Sequence, residues 1–208
     1  MHGGSSGAGV GLPNWWESRS VPEAPPGYGE LVEAMRLLQD RLAAAAPDAA
    51  LVTEVTREIT RAAALLAPAE TDEWSAPSGR VEGLPSHGAV LIPPVRDVVH
   101  GADDMRGTVR FGRYYLGGNG AVHGGAIPLM FDDLMGRFAN RDGRPAARTA
   151  YLNVDYRSIT PIGTDLTVEV RTGREEGRKR FVSGVLRDGD RVCAEAEGLF
   201  VQLRPGQS

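Results

Sequence analysis

Apolar residues recur at helical spacing early in the chain and at every second position late in it. Leu31, Met35, Leu38, Leu42 and Ala45 step by fours and threes, which predicts an amphipathic helix over about residues 28–46. Pro47 stops it, and Asp48 can cap a second helix whose stripe is Leu51, Val55, Ile59, Ala62 and Leu66, ended by Pro68. The short break between the two predicts a helical hairpin over residues 28–68 that packs on the domain behind it or on a second copy. Residues 69–84 have no periodicity and read as a linker into a domain over residues 85–204. Residues 89–92 are strand-like, and Pro93 and Pro94 confine that strand to an edge or end it, with residues 97–100 rejoining a sheet. A strand over residues 105–116 would place Val109, Phe111 and Tyr115 on one face. An apolar, helix-like run over residues 124–140 follows, closed by the turn signals Asp142-Gly143 and Pro145.

Beyond that turn the period becomes two. Ala150, Leu152, Val154 and Tyr156 share one strand face, and Leu166, Val168 and Val170 share another. Phe181, Ser183 and Val185 fall in a third strand, Asp188-Gly189 is a hairpin turn, and Val192, Ala194 and Ala196 begin the last strand. One long helix between strands and a run of four antiparallel strands predict an α+β layered fold.

The chemistry concentrates in residues 117–136, a glycine-rich loop running into the apolar helix. Pro128 is tolerated there because a first-turn proline gives up no helical hydrogen bond. The helix start offers free N–H groups and positive dipole potential beside the loop, which suits a developing oxyanion. The run has no polar face in its first two turns, so it reads as buried on most sides. Asp132 and Asp133 sit inside it, and a buried carboxylate is costly unless paired or used. The two acids are about 100° apart around a helix and cannot serve one spot.

The order His123-Gly124-Gly125, an apolar stretch, Asp132 and then Gly136 resembles the hotdog-fold acyl-CoA thioesterases, most nearly their PaaI-like group. The strand of residues 149–156 and the following Pro161-Ile162-Gly163-Thr164-Asp165 extend the resemblance over residues 85–204. It implies a hotdog fold, a curved antiparallel sheet wrapped around a central helix, here preceded by the helical hairpin. It also implies hydrolysis of acyl-CoA to a free acid and coenzyme A, with no cofactor, coenzyme A being part of the substrate. Asp132 would be the base or nucleophile and the Gly124 N–H the oxyanion donor. His123 would contact the thioester or fix the loop, and Thr149 would hold the attacking water or the acid. Gly125 would give backbone clearance to the substrate. Where some relatives carry an Asn this chain has Gly117, and Asn119 is a nearby substrate-binding candidate out of register. The family's sites lie between subunits of a homodimer or homotetramer, with His123 and Gly124 of one chain facing Asp132 of the other. The alternatives are a salt bridge from Asp132 to Arg148, a plain turn at Gly124, and a hotdog module that binds acyl-CoA or a protein partner without hydrolysis.

Composition narrows the rest. The chain has 208 residues and a formal net charge of −4, which argues against a general nucleic-acid binder. The single cysteine, Cys193, excludes an internal disulfide and a cysteine zinc cluster, and His87, His100 and His123 lack zinc-ligand spacing. No stretch approaches eighteen apolar residues, and Gly and Ser stand near the N-terminus where a signal peptide would be basic and apolar; a soluble, cytoplasmic protein is expected. Residues 1–27 are expected to be loosely packed, except Trp15 and Trp16, which need a surface to cover them. Arg171, Arg174, Arg178, Lys179 and Arg180 cluster near a hairpin and could meet coenzyme A phosphates or merely form a solvated turn.

Overall fold

The structure, a computed structural model, describes residues 23–204, so Trp15 and Trp16 lie outside the described residues. Among these, helices α1 (Tyr28–Ala44) and α2 (Ala49–Leu66) come first. Strands β1 (Val95–His100), β2 (Asp104–Arg110), β3 (Leu116–Gly118) and β4 (Ala121–Val122) lead into α3 (Ala126–Ala139). Strands β5 (Ala147–Tyr156), β6 (Asp165–Glu176), β7 (Lys179–Asp188) and β8 (Arg191–Gln202) complete the chain. Six strands form one antiparallel sheet in the order β1-β2-β6-β7-β8-β5, and β3 and β4 pair as a separate hairpin. This is the hotdog arrangement of a large antiparallel sheet around one helix. No helix among the described residues is long and apolar enough to cross a membrane.

Helix α3 packs across β5, β6, β7 and β8. Its buried positions Ile127, Met130, Phe131, Leu134, Met135 and Phe138 fall at helical spacing on one face. They meet Leu166, Val168 and Val170 of β6, Val182 and Leu186 of β7, and Phe200 of β8 in one core. The approach is close because β7 presents a glycine at its centre: a Cβ on Gly184 would come within 2.7 Å of the Phe131 ring. Helix α3 is buried on most sides, as expected: Asp132 is its one exposed residue, and Asp133 is half-buried. Asp132 lies beside β5, where Thr149 reaches it, and Asp133 lines a cleft beside β1.

Residues 89–92 are not a strand; β1 starts after the two prolines. Pro93 and Pro94 have no N–H to give a ladder, and the segment is instead folded back by Ser86, whose hydroxyl donates to the Pro93 carbonyl at 2.8 Å. The predicted face of β5 also changes. Thr149 pairs with Phe200 and Tyr151 with Leu199, so Ala150 is an extra residue in the strand, a β-bulge. Ala150 is exposed, while Ala147 and Thr149 before it and Leu152, Val154 and Tyr156 after it share the face toward α3.

Both N-terminal helices form where the periodicity puts them, and Asp48 caps α2 by accepting from the Leu51 N–H at 2.8 Å. The face that α1 docks is different from the predicted one. Leu31, Met35 and Leu42 are exposed, and Val32 and Arg36 are buried. The docking is polar, which is why apolar periodicity misses it. Arg36 donates to the carbonyls of Ala89 at 2.8 Å and Pro85 at 3.1 Å. The Asp40 carboxylate accepts from the Tyr114 N–H at 2.9 Å. Glu33 joins Arg36 to Arg96, and although its partial burial works the other way, these two guanidinium groups hold its carboxyl below the usual range. Among the described residues nothing buries any residue of α2 or covers its apolar stripe.

Arg36→Met keeps the aliphatic stem and removes the guanidinium from two carbonyls. It is expected to cost about 1–3 kcal/mol, the scale of buried hydrogen-bonding groups left without partners. A lower urea midpoint at unchanged slope is the expected reading; an unchanged midpoint would mean α1 is held by other contacts.

Candidate active site

The loop before α3 is built from backbone outward. Asn119 (φ 48°) and Gly120 (φ 75°) make the tight turn between β3 and β4, so Asn119 has a conformational role there. The Tyr115 carbonyl accepts from the His123 N–H at 2.7 Å, and the Tyr115 hydroxyl donates to the Leu91 carbonyl at 3.1 Å. Burial pushes the Tyr115 phenol up to about 12, so it stays a donor at any physiological pH. Gly117 explains the missing Asn of the family pattern. A Cβ there would lie 2.8 Å from the His123 Cα, so this loop path has no room for a side chain.

His123, Gly124 and Gly125 follow, all exposed. The His123 carbonyl accepts from the Ala126 N–H at 2.9 Å, and His123 Nδ1 accepts from the Gly125 N–H at 3.0 Å. An accepting Nδ1 places the imidazole proton on Nε2, where it can be donated outward. Of the N–H groups from His123 to Ala126, Gly124's alone has no acceptor among the described residues. Helix α3 begins directly behind it, with no side chain capping its start and no acid in its first turn. The positive end of the helix is therefore uncompensated beside a free donor.

Asp132 lies seven residues after Gly125, two turns down the same face of α3. Thr149 Oγ1 donates to Asp132 Oδ1 at 2.9 Å. This bond ties the acid to β5 and leaves its second oxygen open. Arg148, the alternative partner, is not joined to Asp132 by any ion pair among the described residues. Asp133 is the ion-paired acid: Arg137 Nη2 lies 2.9 Å from it, one helical turn on.

Tyr156 is a contact that sequence reasoning missed. Its hydroxyl donates to the Gly124 carbonyl at 2.6 Å from the far end of β5. Nothing in the local pattern marks it beyond its place on a strand, since its acceptor is a backbone atom remote in the chain.

The basic cluster resolves into separate contacts. Arg180 is buried and donates to the Ala139 carbonyl at the end of α3, at 2.8 Å, while Arg178 donates to the Gln202 carbonyl at 2.7 Å. Arg174 pairs with Glu176 and lies over the Phe181 ring. A cleft of about 490 Å³ opens between residues 83–88, β1 and α3, lined among others by His87, His100, Asp133 and Arg137. Burial, with Arg137 beside it, holds the His87 imidazole below its usual range. Neither Asp132 nor Gly124 lines that cleft. Among the described residues no three His, Cys, Asp or Glu side chains gather to hold a metal ion.

The thioesterase superfamily profile matches residues 119–195, which include His123, Gly124, Asp132, Thr149 and Tyr156. Acyl-coenzyme A thioesterase THEM4 of Bos taurus is 33% identical over 99 residues, 47% of this chain and 40% of that protein. Its Mus musculus counterpart is 36% identical over 96 residues, 45% of this chain and 41% of that protein. The chain thus matches about two fifths of the length of these curated relatives. The crystal structure of protein RHA08564, a thioesterase superfamily protein, is 30% identical and superposes with a TM-score of 0.72, covering 88% of this chain and 98% of that one. A likeness that spans nearly the whole of a solved relative, on a sheet wrapped around a helix with its glycine loop and its acid, means that the chain belongs to the thioesterase superfamily.

Proposed function

We propose that this protein hydrolyses acyl-CoA thioesters to a free carboxylic acid and coenzyme A, as a PaaI-like enzyme in the cytoplasm. The observation that carries the reading is one helix bearing an unpaired N–H at its start, Gly124, and a tethered carboxylate two turns on, Asp132. The thioester carbonyl oxygen takes up the Gly124 N–H, in the field of the α3 N-terminus. Asp132 then takes a proton from the attacking water, or attacks the carbonyl carbon itself. Negative charge moves onto the oxygen that the N–H faces, and a preoriented donor there is worth about 3–4 kcal/mol. Collapse expels the coenzyme A thiolate, a good leaving group because a thiol's pKa is about 8.5. If Asp132 itself attacked, water then hydrolyses the acyl anhydride on Asp132 to release the acid and restore the carboxylate.

Helical rise argues for two copies. Seven residues at about 1.5 Å each put Gly125 and Asp132 about 10 Å apart along α3. Donor, carbonyl and acid must lie within hydrogen-bond and attack distances of one another, so this spacing along one helix favours a donor and an acid from different chains. A second copy with its helix antiparallel would bring His123 and Gly124 of one chain to Asp132 of the other, twice per homodimer. Hydrolysis followed by thiol release over short, long and aromatic acyl-CoAs, alongside sedimentation, tests both parts. Turnover by a dimer or larger assembly is expected. Binding without turnover would favour a non-hydrolytic acyl-CoA module, and a fully active monomer would overturn the shared site.

A further inference from the structure

We propose that Tyr156 is a positioning residue that aims the Gly124 N–H, an inference that rests on the thioesterase reading above. Two consecutive glycines carry no side chain to restrain them and rotate more freely than any other pair. Here the peptide joining Gly124 to Gly125 is gripped from both sides. Tyr156 donates to its carbonyl oxygen at 2.6 Å, and its N–H donates to His123 Nδ1 at 3.0 Å. The preceding peptide is held as well, through the His123 carbonyl and the Ala126 N–H. With both planes fixed, the rotation that would swing the Gly124 N–H away from its aim is blocked. Tyr156 is the one side chain from the sheet that takes part.

Packing alone does not account for this tyrosine. The residue is 54% exposed, so it contributes little to the core, and its hydroxyl is what reaches the loop. A phenylalanine would keep the ring and lose the grip. The reach also depends on the bulge at Ala150. Thr149 and Tyr156 are seven residues apart and would face opposite sides of a regular strand. The extra residue restores them to one side, so β5 holds Asp132 through Thr149 and the glycine loop through Tyr156. Between two copies, each β5 would then steady the acid of one site and the donor of the other.

Tyr156→Phe tests the assignment, with Tyr151→Phe as control. Tyr151 lies on the same strand and donates its hydroxyl to Glu197 at 2.8 Å, away from the loop. For Tyr156→Phe, kcat on the best acyl-CoA is expected to fall about 10-fold, less than the loss of a donor outright, with KM within about three-fold. Amide exchange at Gly125, read by NMR, is expected to quicken by about 10-fold as its bond to His123 is released. The control should change neither. Unchanged exchange overturns the proposal whatever the turnover does, since the phenol would then not be holding the loop. Faster exchange with full turnover overturns it too, because the aim of the N–H would not matter to the reaction. A wild-type protein that hydrolyses no acyl-CoA defeats the thioesterase reading, and with it the catalytic half of this proposal, while the exchange result still decides whether Tyr156 holds the loop.

Discussion

Asp132→Asn is expected to lower turnover by about 100-fold or more, the scale of losing a general base, while acyl-CoA binding changes little. The structure sharpens the test by leaving Asp132 as the one exposed residue of α3. Removing an exposed charge there should leave stability within about 0.5 kcal/mol, so lost activity would not be lost fold. Asn can still accept the hydrogen bond from Thr149, which keeps the side chain in place. Asp133→Asn reverses the pattern. It breaks the ion pair with Arg137 and is expected to lower the melting temperature, with turnover kept within a few-fold. Steady-state kinetics and thermal melts on both variants separate the roles. Equal turnover in the wild type and both variants would show that neither acid takes part in the chemistry.

Gly184→Val should loosen the packing of α3 on the sheet and destabilise the fold. A Cβ at Gly184 falls 2.7 and 2.8 Å from Phe131 ring atoms, with Met135 Sδ at 3.5 Å. Phe131 is fully buried and has nowhere to retreat. Relief requires α3 to lift from β7, and overpacking of this kind costs about 1–3 kcal/mol. For a chain of this size each kcal/mol shifts the melting temperature by about 2–4 °C, so a fall of roughly 2–12 °C is expected. Turnover should fall as well, because lifting Phe131 carries its neighbour Asp132 out of reach of Thr149. Phe131→Leu added to Gly184→Val should recover part of both losses. A melting temperature unchanged in the single variant would mean that the helix already has room to move.

The parts of the fold that local rules govern were legible in the sequence. The strand faces of β6, the turns at Asp142-Gly143 and Asp188-Gly189, and the first-turn Pro128 follow from alternation and φ preferences that neighbours in the chain decide. The glycine loop running into an apolar helix that carries an acid was legible from the residues, while the singling out of His123, Gly124, Asp132 and Thr149 rested on resemblance. Contacts that depend on a remote backbone atom were not. Arg36 reads as part of a solvated face until the carbonyls of Pro85 and Ala89 are brought to it. Tyr156 reads as one more strand residue until Gly124 arrives. The exposure of Asp132 depends on how α3 is rotated against the sheet, which the apolar run around it does not reveal.

The extra residue in β5 makes the strand a parity device. Side chains alternate with period two, so no point substitution can move Thr149 and Tyr156 onto the same face; only a change in the number of residues between them can. Deleting Ala150 leaves every chemical group of the site in the chain and still sends either Thr149 or Tyr156 to the wrong side, releasing the acid or the glycine loop. The two ends thus serve together only while that count is kept, and the segment between them is one where residue identity matters less than residue count.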